Sequence, residues 1–173
     1  GHAATIRALC ELGADVNAHD NDTATALYAA AYNAEVEAIR ALCELGADIN
    51  TPNMYGQTPV NAAARGGCAK AVRLLCELGA NVNSPDKEGR TPVWVAAYNG
   101  HVEAIRALCE LGANISTPND KGHTPVYAAA TERQYDAIRV LYELGADVNT
   151  PFETGGTPVW AAALSGDIKA IRT

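Results

Sequence analysis

The chain lacks any run of lysine or arginine. Its 13 basic residues face 20 acidic ones over 173 positions, for a formal charge of −7. A surface of that sign does not draw DNA, RNA or an anionic membrane as its main partner. No apolar stretch approaches the roughly 18 residues that a membrane-spanning helix needs, so no membrane insertion is expected. No signal peptide is expected ahead of the fold either, which points to an intracellular, cytoplasmic setting. Aromatic residues amount to only 6%. Alanine fills much of the apolar share, which suits stacked helices whose backbones approach closely. The metal patterns C-x-x-C, H-x-x-x-H and H-E-x-x-H are all missing, as are G-x-S-x-G and the phosphate loop G-x-x-x-x-G-K. The expectation is therefore no metal, no cofactor and no enzyme.

What the chain has is repetition. Gly13-Ala14 returns at Gly46-Ala47, Gly79-Ala80, Gly112-Ala113 and Gly145-Ala146. Thr58-Pro59 returns at Thr91-Pro92, Thr124-Pro125 and Thr157-Pro158, with Thr25-Ala26 in the same register. Every interval is 33 residues. One domain over 1–173 is expected, with full units at 18–50, 51–83, 84–116 and 117–149 and partial ones at 1–17 and 150–173.

Each unit has a readable local grammar. A threonine hydroxyl can cap free amides, and proline suits the first helical position. The spacing predicts a short helix over Pro92–Tyr98, a break at Asn99-Gly100, and a second helix over Val102–Leu111. Val102, Ile105, Leu108 and Cys109 recur at helical spacing on that second helix. Gly112 then supplies a left-handed C-cap. The turn-rich stretch that follows suits a tight, hairpin-like loop. A helix of seven residues is unstable alone, so neighbouring copies must cover one another and the stack is the folding unit.

Asp86, Gly89, Thr91, Pro92, Ala96, Ala97, Gly100, His101, Leu108, Gly112, Ala113 and Ile115 carry the pattern D-x-x-G-x-T-P, G-H and L-x-x-x-G-A. By these residues the chain resembles the ankyrin-repeat family over essentially its whole length. The resemblance implies a mainly all-α solenoid of stacked helix-turn-helix units with hairpin-like loops. It also implies a non-catalytic scaffold that binds another protein through hairpin tips and a concave first-helix surface. There are departures. Thr23 stands where the turn glycine belongs and Ala26 replaces proline, so the first full hairpin should be less well formed. The family's T-P-L-H histidine is replaced by Tyr28, Asn61, Trp94, Tyr127 and Trp160. Neither end shows an evident polar cap, so a longer array, or self-association through the ends, is expected. A structural spacer within such an array and an engineered, consensus-like repeat are the alternatives to a binding scaffold.

The substituted position and the residue four later share one side of the first helix. The pairs are Tyr28/Tyr32, Asn61/Arg65, Trp94/Tyr98, Tyr127/Thr131 and Trp160/Leu164. Beside them lie variable tip residues: Asn21, Asp22 and Ala24; Met54, Tyr55 and Gln57; Lys87, Glu88 and Arg90; Asp120, Lys121 and His123; and Glu153, Thr154 and Gly156. This is a candidate recognition stripe, since aromatics and arginine anchor binding hot spots. The competing reading is packing between units. Four of the five cysteines, Cys10, Cys43, Cys76 and Cys109, share one repeat position. Equivalent helices sit about 8–10 Å apart, against the roughly 7 Å limit for disulfide Cα atoms, so they read as small hydrophobes. Cys68 is expected to be a more exposed thiol. Arg7/Glu11, Arg40/Glu44, Arg73/Glu77, Arg106/Glu110 and Arg139/Glu143 form a charge ladder, read as a solvated face with some pairing between units. The resemblance further implies that Asn17, Asn50 and Asn149 are candidates for asparaginyl hydroxylation, against a plain role as hydrogen-bonded turn asparagines.

Overall fold

A computed structural model describes residues 2–152 and 155–164. Among these described residues lie ten helices: α1 (His2–Glu11), α2 (Ala26–Tyr32), α3 (Val36–Glu44), α4 (Pro59–Arg65), α5 (Ala69–Glu77), α6 (Pro92–Tyr98), α7 (Val102–Glu110), α8 (Pro125–Thr131), α9 (Tyr135–Glu143) and α10 (Pro158–Leu164). Among the described residues there is no strand, only one bridged pair, His19 with Thr25. The tip residues Glu153 and Thr154 and the terminal stretch 165–173 lie outside the described residues.

The helices form where the punctuation directs. Thr91 Oγ1 accepts the Trp94 amide at 3.4 Å, and Pro92 follows at the first helical position. Thr25 and Thr124 act alike on Tyr28 and Tyr127, each at 3.2 Å. The second helix ends at Glu110, one residue short of the expected Leu111, which is its C-cap. Gly112 then turns the chain with φ 89°, a left-handed conformation open to glycine without a Cβ clash.

Two layers result. The short helices α2, α4, α6, α8 and α10 contact one another in series, and α1, α3, α5, α7 and α9 do the same. The short helices α2, α4, α6 and α8 also pack on the longer helices of their own units, α3, α5, α7 and α9. Val60, Val93 and Val126 from one layer and Ile39, Val72, Ile105 and Leu141 from the other are essentially fully buried. Alanines 62–64, 96–97 and 128–130 fill the space between, and their small size lets the helices approach closely. This is an all-α repeat solenoid.

The loops are stitched by recurring hydrogen bonds. The carboxylate or amide oxygen Oδ1 of Asp20, Asn53, Asp86 and Asn119 accepts two backbone amides of its own hairpin. Tips join directly: Met54 N–H donates to Asp22 O, Lys87 N–H to Tyr55 O, and Asp120 N–H to Glu88 O, all at 2.9–3.0 Å. The first full hairpin is not less well formed. Asp20 N–H reaches Ala24 O at 3.0 Å, as Asn53 N–H reaches Gln57 O at 2.9 Å. Thr23 adopts the glycine conformation, φ 58°, because the Asp20 bonds and the neighbouring tip hold it there.

The charge ladder pairs between units. Arg7 meets Glu44, Arg73 meets Glu110 and Arg106 meets Glu143, each 37 residues on, rather than the glutamate four residues along.

Candidate functional site

A groove of about 500 Å³ opens where the short helices meet the hairpin tips of the first units. Tyr28, Ala29, Tyr32 and Asn33 come from α2 and its C-cap, Arg65 from the end of α4, and Asp20, Asp22, Asn53, Tyr55, Gln57 and Arg90 from the loops. Tyr28 Oη donates to Gln57 Oε1 at 2.9 Å, which fixes the phenol across the unit boundary. Burial raises the Tyr28 pKa, while the Arg65 guanidinium beside it pulls the other way.

The next stretch is more closed. Trp94 stacks on Tyr98 with ring centres 5.4 Å apart, and the Arg90 guanidinium lies 5.8 Å over the indole. The indole N–H donates to His123 O at 2.9 Å, tying α6 to the following hairpin. Arg90 is held by Asp86 at 2.7 Å and Glu88 at 3.1 Å. Burial and then the Glu132 charge raise the Tyr98 pKa. Further along, His123 stacks on Tyr127 at 4.2 Å, and Phe152 bridges that pair to Trp160 at 5.8 Å. Partial burial, then the Lys121 charge, lowers the His123 pKa.

The expected stripe divides by burial. Asn61 is 2% exposed and Trp94 7%. Asn61 Oδ1 accepts both the Thr58 amide and its hydroxyl, and its Nδ2 donates to Ser84 O at 3.3 Å. These two side chains hold units together and have little surface left to offer a partner. Tyr28, Arg90, His123 and Tyr127 are half-buried. Tyr32, Met54, Tyr55, Arg65, Lys87, Glu88, Tyr98, Lys121 and Trp160 are exposed. Asp20 and Asn53, which the sequence reading did not single out, line the groove and organise its tips. Their signal is the 33-residue interval Asp20, Asn53, Asp86, Asn119.

The asparagine positions form a second ladder. Asn17 Oδ1 accepts Asp48 N–H at 2.9 Å and its Nδ2 donates to Gly46 O at 3.4 Å. Asn50 repeats this with Asn81 and Gly79. Asn83 repeats it with Asn114 and Gly112. Asn83 was not among the three expected positions, although it stands 33 residues after Asn50. Asn149 donates its backbone N–H to Asp147 Oδ1 at 2.8 Å.

All five cysteines are free thiols of intermediate exposure, Cys68 included. Cys68 is not set apart, because its sulfur caps α5 by accepting the Ala71 amide at 3.4 Å. Burial, with a neighbouring glutamate, raises the Cys43 and Cys76 thiols and pushes Cys109 up to about 11. Among the described residues no cluster of metal-binding side chains occurs, and no helix is long and apolar enough to cross a membrane.

Stacked hairpin–helix–helix units with one grooved side define a repeat solenoid, a class whose extended surfaces serve binding. A family model described as ankyrin repeats (3 copies) matches residues 1–86, 53–119 and 79–152, and the chain belongs to the ankyrin-repeat family. Members of that family are generally protein–protein interaction modules and are typically non-catalytic. No curated protein matches the chain at a significant level.

Proposed function

We propose that the chain is a non-catalytic scaffold whose protein partner lies along the concave face, against the hairpin tips and the short helices. The observation that carries this reading is the groove of about 500 Å³, with Tyr32 and Tyr55 half-exposed at 48% and 52% on its rim. Exposed aromatic rings beside polar groups and an arginine have the composition of interface anchors. The units 18–50, 51–83, 84–116 and 117–149 would act together, since the groove spans more than one of them. Five free thiols, none paired, support a reducing intracellular compartment.

The test is site-specific photocross-linking. A photoreactive residue at Tyr55 should give a discrete protein adduct in cells, while one at Glu77, on the long-helix layer, should not. Adducts only at Glu77 would reject the placement. A spacer role within a longer array is favoured by the near-identical second-helix phrases and their ladder of pairs between units. It predicts no adduct at either position.

A further inference from the structure

The groove's charges specify what it takes, an inference that rests on the binding role proposed above. Arg65 closes α4 with an exposed side chain, and among the described residues no carboxylate lies within ion-pair distance of it. The paired arginines differ: Arg7, Arg73 and Arg106 are held by glutamates of the next unit, and Arg90 by Asp86 and Glu88. Among the described residues no ion pair is formed by Arg40 or Arg139 either, but they stand on the long helices, in the other layer. Arg65 alone of these puts an uncompensated guanidinium into a groove.

Its surroundings select the counter-charge. Tyr28 lies beside it, close enough for the guanidinium to act on the phenol, and Tyr32 and Tyr55 line the same groove. The Tyr28 hydroxyl is already spent on Gln57, so the planar guanidinium is the donor that a carboxylate would meet, with the Tyr32 and Tyr55 phenols lining the same groove. A phosphate dianion fits less well. The second groove arginine, Arg90, is already neutralised, and Asp20 and Asp22 add negative charge to the lining. The Asp20 carboxylate is occupied by hairpin amides, whereas the Asp22 carboxylate is exposed and, among the described residues, accepts no hydrogen bond. Among the described residues, the groove lining therefore holds one guanidinium, Arg65, without an ion pair, and one carboxylate, Asp22, with neither an ion pair nor a hydrogen bond.

We propose that it takes a short segment of a partner protein that sets an aspartate or glutamate on Arg65 and a lysine or arginine toward Asp22. The segment's acid replaces the water on the guanidinium, and the tyrosine rings cover its stem.

The experiment pans a displayed random-peptide library on the full chain and measures enriched peptides by fluorescence polarisation. Enriched peptides should share an acidic residue. Changing that residue to its amide, or Arg65→Gln in the protein, should weaken binding at least about tenfold. Arg65→Glu should restore binding to the peptide whose acid is replaced by lysine, a charge swap that a merely structural role would not produce. Circular dichroism melts should be little changed, because the Arg65 side chain is exposed and, among the described residues, holds no ion pair, only the contact with the Tyr28 phenol. Peptides without an acidic residue, a preference for phosphopeptides, binding indifferent to Arg65→Gln, or no enrichment would each overturn the proposal. If Tyr55→Ala abolishes binding while Arg65→Gln does not, the groove reading stands and only the carboxylate anchor falls. Peptides indifferent to both substitutions would sink both.

Discussion

Thr23 shows at the scale of one residue how a neighbouring framework overrides local preference. A β-branched side chain at φ 58° is disfavoured by roughly 1–2 kcal/mol relative to a right-handed conformation. Thr23→Gly should therefore stabilise the chain by about 1 kcal/mol, after glycine's larger unfolded-state entropy is subtracted. The check is a higher denaturation midpoint with an unchanged slope. The buried thiols make a different prediction. Because only the thiolate reacts, Cys43, Cys76 and Cys109 should alkylate much more slowly than free cysteine at neutral pH. Quenched labelling with peptide mass spectrometry reads this directly. His123 supplies a pH dependence. Its folded pKa lies below the ordinary 6.5, so the unfolded chain binds its proton more readily. That contribution to stability is whole above pH 6.5 and declines as pH falls below it. The melting temperature should drop less between neutral and mildly acidic pH in His123→Gln than in the unaltered chain.

Elements hold together through ladders, and one rung is missing. Asn17, Asn50 and Asn83 each bridge to the following unit, but Ser116 occupies the next position, and among the described residues its amide bonds locally to Asn114 Oδ1 while its side chain makes no such bridge. The serine side chain is one bond too short to span the gap. Ser116→Asn should add two neutral hydrogen bonds, worth on the order of 1 kcal/mol each. Slower hydrogen exchange at the Asp147 amide would report the new rung. Loss of a cap should act in the opposite direction. Thr91 is 2% exposed and caps α6, so Thr91→Ala should cost about 1 kcal/mol. A midpoint unchanged by that substitution would remove the cap from the account of α6.

Across the whole molecule, stability resides between units. Val93, Ile105 and Leu108 are fully buried only because α4, α5, α8 and α9 flank their unit. A peptide of residues 84–116 alone should show little helix by circular dichroism, whereas the full chain should unfold cooperatively. A folded single unit would contradict the stack as the folding unit.

The interval of 33 residues, the threonine caps, the glycine stops and the apolar spacing of the second helix are local or periodic signals, and by themselves they determined the helices and their stacking. Contacts between units were not legible in that way. Whether Arg73 chose Glu77 or Glu110, whether Trp94 faced a partner or the next hairpin, and whether Thr23 could hold its turn all depended on a surface supplied by another copy. A linear pattern fixes what a side chain can reach along its own helix, at a spacing of three or four positions. Only packing decides which neighbour competes for it, and that competition buried Asn61 and Trp94 and, among the described residues, left Arg65 without an ion-pair partner.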